Sequence, residues 1–371
     1  MSEDPAVPAD LTGLVHDRRI LICSGSGGVG KTTTAAVVAM EAARLGRRAV
    51  VVTIDPAKRL ADALGLGGTG IGNVPKQIAG EWSGEMWAVM LDTKSTFDDL
   101  VVRYSADGEQ ADRILANRFY QNISGALSGT QEYMAMEKLY ELHVDEGFDL
   151  VVVDTPPSRN ALDFLDSPRR LIRFLDHRLY RVLMAPTRGV MKAVNVATQA
   201  FMRNVSKVVG GDVFDDAIAF FQAFDGMEEG FRDRASLVLD LIESPETGFV
   251  LVTAPTRDTM SEARFFADKL ADADLAVAAL IVNRMHPKFT DELPEALRER
   301  AHTFDGTDLG GLYRNLADFA LIAAREEDHL TGLVDQVAPA PVVRVPYLRT
   351  DVHDLESLAI IGDHLFDGAD R

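Results

Sequence analysis

The chain has 371 residues, of which 47% are hydrophobic, so it is long enough to bury a large core. Its formal net charge of -19 would repel nucleic-acid backbones and anionic lipid headgroups over most of the surface, so nucleic acid is disfavoured as the main partner. The single cysteine, Cys23, excludes an intrachain disulfide framework and a Cys-x-x-Cys metal clip, and it fits a reducing compartment.

The N-terminal stretch "MSEDPAVPAD" is acidic, is interrupted by proline and lacks the basic and apolar regions of a signal peptide. We therefore expect a short disordered tail over residues 1–17. No apolar run approaches the roughly 20 residues that cross a bilayer. The expected location is cytoplasmic, at most peripheral to a membrane.

Short runs rich in β-branched and other apolar residues recur along the chain. They occupy residues 18–24, 48–55, 86–92, 148–154, 248–254, 275–283 and 341–347. Nearly continuous apolar strands are typical of a parallel sheet that helices cover on both faces. Because amphipathic helical stretches separate the runs, the sequence predicts a doubly wound, mostly parallel α/β fold.

Two longer intervals, about 93–147 and 160–245, show helical periodicity and no strand signal. We interpret them as an inserted α-helical subdomain within one domain spanning residues 18–365. Two apolar stripes run at helical spacing; they comprise Phe214, Ile218, Phe221, Phe224, Met227 and Phe231, and Met191, Val194, Phe201, Val205 and Val208. The stripes are interpreted as the core of this subdomain, with an apolar client groove as the alternative.

The stretch "GSGGVGKT" at 25–32 matches the phosphate-loop pattern G-x-x-x-x-G-K-[ST] and lies between a predicted strand and a predicted helix. Its glycines let backbone N–H groups surround an anion, and the helix directs its positive end at the same place. Lys31 is predicted to reach the β- and γ-phosphates, and Thr32 to bind Mg²⁺. The predicted nucleotide-binding residues here are Gly25, Ser26, Gly27, Gly28, Val29, Gly30, Lys31, Thr32 and Thr33.

Two aspartates end apolar strands at the edge where open α/β sheets bind ligands. Asp154 follows "LVVV" in the pattern of a Walker B carboxylate, and Asp55 ends "VVVTID". We predict that both join Thr32 around Mg²⁺, and that Asp55 orients or deprotonates an attacking water. Lys31, Asp55 and Asp154 are the predicted catalytic residues. The alternative for each aspartate is an ordinary cap of the next turn.

These motifs together resemble the arsenical-pump (anion-transporting) ATPase family. "SGGVGKTTTA" is similar to its phosphate loop, "TIDPAKRLADALG" to its switch I and "VVVDTPPSRNALDFLDSP" to its switch II. "VTAPTRDTMSEARFFADKL", "LIVNRM" and "VVRVPYLRTDVHDLESL" resemble later segments in the expected order. The likeness spans roughly residues 18 to 365. It implies a P-loop NTPase core with a deviant Walker A loop, of the SIMIBI type.

The resemblance implies an ATPase that binds ATP or ADP with Mg²⁺ and works as a dimer closing around two nucleotides. It assigns water activation to Asp55, places Asp154 in switch II, and gives adenine recognition to Asn283 and the region of Pro346. The family includes targeting factors for tail-anchored membrane proteins. A switch that handles a hydrophobic or membrane-associated client is therefore the implied function.

The chain also departs from the family pattern. Members that handle arsenite use several cysteines, and eukaryotic targeting factors clamp zinc with a Cys-x-x-Cys pair. With Cys23 alone, we expect no zinc, no metalloid site and no Fe–S cluster, and therefore not an arsenite pump. In switch II, "PPSRN" replaces a glycine-containing segment.

Ser26 is the largest departure, because the family loop usually carries a lysine there that contacts the partner subunit's nucleotide. The favoured hypothesis is a heterodimer with a lysine-bearing paralogue. A homodimer in which Lys58, Arg59 or Arg159 substitutes, or slow hydrolysis, are the alternatives. Two other functions are alternatives to the client-handling switch: a partition or positioning ATPase and a metabolic kinase. The acidic charge disfavours the first, and the helical insertion disfavours the second.

Overall fold

The computed structural model describes residues 10–54, 59–66, 71–124, 130–156, 161–177, 211–349 and 351–366. The chain divides into two compact units. The first, here the sheet unit, comprises Met1–Met90, Glu146–Leu162 and Pro245–Arg371. The second, here the helical unit, comprises Leu91–Asp145 and Asp163–Ser244.

One eight-stranded sheet forms the centre of the sheet unit. Its strands are β1 Ile20–Ser24, β2 Arg48–Thr53, β3 Lys76–Ile78, β4 Glu85–Met90, β5 Leu150–Asp154, β6 Thr247–Thr253, β7 Val277–Met285 and β8 Val342–Pro346. They are arranged in the order β3-β4-β2-β5-β1-β6-β7-β8, and every pair is parallel except β3 with β4. The predicted doubly wound, mostly parallel fold is confirmed. The three-residue β3 was missed, because a strand this short has no periodicity to read.

The helices, in chain order, are α1 Leu11–Asp17, α2 Lys31–Arg44, α3 Arg59–Ala63, α4 Thr93–Tyr104, α5 Gly108–Leu115, α6 Arg118–Ile123, α7 Thr130–Tyr140, α8 Ala161–Asp176, α9 Gly211–Ala223, α10 Glu228–Glu243, α11 Arg257–Asp272, α12 Pro294–Thr303, α13 Asp308–Val337 and α14 Leu355–Phe366. A π-helical turn, Glu141–Asp145, follows α7. Within the described residues, no helix combines the length and the apolar character that crossing a membrane requires.

The core of the sheet unit forms where α2 packs on the central strands. Strands β1 and β5 are buried along their whole length, and each is apolar up to its last residue, Ser24 or Asp154. Alanine and valine fill the side of α2 that contacts β2 and β5, so the helix approaches the sheet closely. This packing fixes the phosphate loop, because the loop joins β1 directly to α2.

Residues 11–17, expected to be a disordered tail, form helix α1 instead. Leu11, Leu14 and Val15 share one helix face and are buried in the core. The carboxylate of Asp10 accepts a hydrogen bond from the Gly13 N–H at 2.7 Å and so caps the helix start. Burial of three apolar side chains thus outweighs the acidic and proline-rich composition that precedes them.

The helical unit has an aromatic core of its own. Phe224, Met227 and Phe231 are buried in it, as the core interpretation of the first stripe predicts. The rings of Phe224 and Phe231 lie 4.9 Å apart, and Tyr120 stacks on Phe220 at 5.9 Å. The second stripe, residues 191–208, lies outside the described residues, and of Phe214 only the helical backbone is described.

Candidate functional site

The phosphate loop curls tightly between β1 and α2, and its glycines are required by sterics. Gly25 has φ 153°, and a Cβ there would collide with the carbonyl oxygen of Val252 on β6. Gly30 has φ 98°, and a Cβ there would collide with the side-chain amide of Asn283. The loop can therefore approach β6 and β7 only because these two positions lack side chains.

Lys31 is the first residue of α2 and is almost entirely buried. Its ammonium Nζ donates to the carbonyl oxygen of Ser26 at 2.8 Å, so the side chain folds back over the loop. The ammonium group is thus held beside the backbone N–H groups at the start of α2. This arrangement provides the positive charge that a bound polyphosphate needs.

Asp154 ends β5 at the centre of the sheet, between β1 and β2. Its Cα is in register with Cys23 on one side and with Thr53 on the other. The buried Oδ2 accepts hydrogen bonds from Thr32 Oγ1 at 2.7 Å and from Thr53 Oγ1 at 3.0 Å. The structure therefore brings together Thr32 and Asp154, which are 122 residues apart in sequence. Thr53 was missed, although it too is a polar residue at a strand end.

The oxygen donors at this position fit Mg²⁺. Hydroxyl and carboxylate oxygens of Thr32 and Asp154 converge beside Lys31, and a hard cation such as Mg²⁺ prefers few protein oxygens together with phosphate oxygens. In the part of the chain that the structure describes, no three His, Cys, Asp or Glu side chains cluster as a metal-only site would require. Thr32 and Asp154 would serve as protein ligands of Mg²⁺, which usually keeps water and phosphate oxygens in the rest of its shell.

Cys23 lies under the site on β1, where its side chain is fully buried. Burial raises the pKa of the thiol well above its usual range, and the negative charge of Asp154 raises it further. The hydroxyl of Thr155 donates to the Cys23 carbonyl oxygen at 2.9 Å, which fixes the chain just after Asp154. Cys23 is thus an inert core residue.

Asn283, predicted to read adenine, makes two hydrogen bonds within the sheet unit. Its Nδ2 donates to the carbonyl oxygen of Val29 at 2.8 Å, and its Oδ1 accepts from the backbone N–H of Arg284 at 2.9 Å. Pro346, at the end of β8, pairs with Met285 two residues further along β7. The two predicted residues are therefore near neighbours, and Asn283 also ties β7 to the phosphate loop.

Ser26 is buried and makes a contact that the sequence did not indicate. Its hydroxyl donates to the carboxylate Oε2 of Glu262, on α11, at 2.5 Å. Because its carbonyl also accepts from Lys31, Ser26 is held from two sides. Gly27 and Gly28 beside it are exposed.

An open cavity of about 340 Å³ lies over the loop. Its lining residues are Gly28, Gly30, Lys31, Thr32, Thr33, Asp62, Ala63, Asp154, Thr155, Arg284 and Val352. The phosphate-loop residues and Asp154 thus share one space. Asp62, Thr155, Arg284 and Val352 were not predicted as site residues, although each lies within a segment that resembles the family.

Several predicted residues lie outside the part of the chain that the structure describes. These are Asp55, Lys58 and Arg159, and of Arg59 only the helical backbone is described. The roles predicted for Asp55 in water activation and Mg²⁺ binding therefore stay predictions.

Comparisons with known proteins agree on one family. A family profile described as "Anion-transporting ATPase" matches residues 18–305. The chain is 22% identical over 372 residues to an ATPase get3 of Schizosaccharomyces japonicus, which covers 98% of each chain. It is 29% identical over 174 residues to an ATPase GET3 of Malassezia globosa, which covers 46% of this chain and 50% of that one. A putative arsenical pump-driving ATPase of Halobacterium salinarum is 28% identical over 183 residues, or 47% of this chain and 28% of that one. The chain thus matches half or less of the length of these last two relatives.

Proposed function

The chain belongs to the anion-transporting ATPase family, and from this membership we propose that it binds ATP with Mg²⁺ and hydrolyses it to ADP and phosphate. The observation that carries the proposal is one cavity lined by Lys31, Thr32 and Asp154, in which Asp154 accepts hydrogen bonds from Thr32 and Thr53 and Lys31 folds back onto the Ser26 carbonyl of the loop. A cation, a hydroxyl and a buried carboxylate are the groups that phosphoryl transfer requires beside a phosphate loop.

Each residue has a distinct role in this proposal. The backbone N–H groups of the loop and the Lys31 ammonium bind the β- and γ-phosphates. Thr32 and Asp154, with Asp55, would hold Mg²⁺, and the cation would supply positive charge to the phosphate oxygens. Thr53 donates to Asp154 and so keeps its carboxylate pointed at Thr32. Asp55 activates the attacking water, and Asn283 with the region of Pro346 contacts adenine.

The experiment compares nucleotide binding with turnover in four proteins. Lys31→Ala is expected to lower the ATPase rate by about 100-fold or more, because removing one preorganised electrostatic group costs that much. Asp55→Asn is expected to keep ATP binding and lose hydrolysis. Lys269→Ala is the matched control, since Lys269 is an exposed lysine of α11 paired with Asp272. Equal turnover by wild type and Lys31→Ala would contradict the proposal.

We further propose that the ATPase is a dimeric switch that handles a hydrophobic or membrane-associated client. Support comes from the family resemblance and from relatives with GET3 names over most of the chain. The favoured arrangement is a heterodimer with a lysine-bearing paralogue, because Ser26 supplies no cation. A homodimer, a subunit with low activity alone and a partition-type regulatory ATPase are the alternatives.

Light scattering with a non-hydrolysable ATP analogue, together with the variant Ser26→Lys, tests the dimer. A new lysine would lie beside Glu262, so Ser26→Lys with Glu262→Gln is measured as well. If the wild-type chain lacks a lysine from its partner, the double variant should turn over ATP faster as a dimer. A fast wild-type homodimer that neither variant alters would contradict the heterodimer.

A further inference from the structure

Strand β7 is irregular beside the phosphate loop. Its pairing with β8 shifts register between Val282 and Met285, so Asn283 and Arg284 lie at a bulge. Arg284 has φ 63°, a left-handed conformation that an L-residue with a Cβ rarely adopts. Bulges beside active sites re-aim side chains, and such local strain persists only where the surroundings hold it.

Hydrogen bonds hold the bulge on both sides. The backbone N–H of Arg284 donates to Oδ1 of Asn283, whose Nδ2 donates to the Val29 carbonyl in the phosphate loop. On the other side, the Tyr347 N–H donates to the Met285 carbonyl oxygen at 2.8 Å. The position of Arg284 is therefore coupled, through the side chain of Asn283, to the loop that would hold phosphate.

The bulge places Arg284 in the lining of the cavity, together with Lys31 and Thr32. Among the described residues, its guanidinium has no hydrogen-bond or ion-pair partner, and the residue is exposed. By contrast, Arg344 on the neighbouring strand β8 makes two hydrogen bonds to the carboxylate of Glu327, at 2.7 and 3.0 Å. Within the described residues, the guanidinium of Arg284 is therefore free to meet an anion bound in the cavity, whereas that of Arg344 is already neutralised.

We propose that Arg284 is a second cation of the phosphate site, and that its guanidinium binds phosphate oxygens of the nucleotide held by the same chain. The inference rests on the proposed ATPase function. Arginine suits this role because its planar group donates two parallel hydrogen bonds to a phosphate. The site then has two cations of its own, Lys31 in the loop and Arg284 at the bulge, although Ser26 carries no charge.

Calorimetric binding of ATP and of adenosine to the full chain tests the inference. Arg284→Asn removes the cation and keeps a residue that tolerates the left-handed conformation. We expect the Kd for ATP to rise about 10-fold to 100-fold, the value of one or two charge-assisted hydrogen bonds. The Kd for adenosine should stay within about twofold, and Arg284→Lys should restore part of the ATP affinity. The matched control is Arg298→Asn, an exposed arginine of α12 outside the cavity.

Two outcomes would overturn the inference while leaving the proposed function intact. One is an Arg284→Asn variant that binds ATP as tightly as wild type. The other is an equal loss of ATP and adenosine affinity, which would mean that Arg284 only shapes the bulge. A wild-type chain that binds no ATP would instead overturn the proposed function and this inference with it.

Discussion

Burial makes the thiol of the single cysteine, Cys23, unreactive. Because burial and the charge of Asp154 raise the pKa of the Cys23 thiol, the reactive thiolate is scarce in the native protein at pH 8. We expect an aromatic disulfide reagent to react with the native chain far more slowly than with the chain unfolded in urea, measured by absorbance. Cys23→Ala sets the baseline in both conditions. Rapid labelling of one thiol in the native protein would contradict this burial.

The contact between Ser26 and Glu262 should be measurable as a coupling energy. Ser26→Ala leaves the half-buried Glu262 carboxylate without its donor, and Glu262→Ala leaves the buried Ser26 hydroxyl without its acceptor. Each change is expected to lower the free energy of unfolding by about 1–2 kcal/mol, and the double variant by less than the sum. Urea unfolding of the wild type, the two single variants and the double variant completes this double-mutant cycle. Strict additivity would mean that the hydrogen bond contributes nothing.

At the scale of elements, a buried ion pair joins α7 to α10 in the helical unit. Arg234 Nε donates to Glu137 Oε1 at 2.7 Å, and both side chains are buried, with the guanidinium stacked on Tyr140. Burial raises the pKa of Glu137, and the charge of Arg234 opposes that rise. The carboxylate therefore depends on this arginine to stay ionised.

We expect Arg234→Met to destabilise the protein at pH 7 by about 3–5 kcal/mol, because it leaves a buried carboxylate without its cation. The loss should shrink as the pH falls toward 5, since protonation then neutralises Glu137. Arg232→Met is the matched control on the same helix. Its ion pair with Asp176 is largely exposed and should cost no more than about 1 kcal/mol. Equal losses in the two variants, measured by urea unfolding, would contradict the prediction.

Asp145, in the π-helical turn, should make the stability of the fold depend on pH. Partial burial raises the pKa of this carboxyl. A hydrogen bond from Arg103 and the charge of Arg234 together lower it by more, so the pKa lies below its ordinary value. A depressed pKa contributes stability above about pH 4, which is lost as the pH falls through the folded-state value. The stability difference between wild type and Asp145→Asn should therefore vanish toward pH 2. A difference that persists unchanged at pH 2 would exclude this cause.

At the scale of the whole molecule, the net charge of -19 separates two functional alternatives. A partition-type ATPase would bind duplex DNA through a basic face, whereas an evenly acidic surface repels it. We expect no binding of a random duplex at physiological salt, with or without ATP, in an electrophoretic mobility assay. A known DNA-binding protein provides the positive control. ATP-dependent binding in the micromolar range would favour the partition-type alternative over a client-handling switch.

The sequence by itself determined those features that depend on neighbouring residues. Seven of the eight strands follow from local apolar runs, and the phosphate loop follows from glycines and Lys31 at fixed spacing between a strand and a helix. Residues 11–17 show the limit of such reasoning. The acidic, proline-interrupted stretch before them indicated a tail, but Leu11 and Leu14 pack into the core on one face of a helix.

Only the tertiary structure decided which distant residues meet in the site. Ser26 and Glu262 are 236 residues apart, and Asn283 and Val29 are 254 apart. Their contacts depend on strand order and register, and a one-residue shift in a strand would turn its side chains to the other face. The bulge that places Arg284 in the cavity likewise arises from how β7 pairs with β8. Local sequence therefore specified the phosphate loop, whereas sheet register specified the residues that surround it.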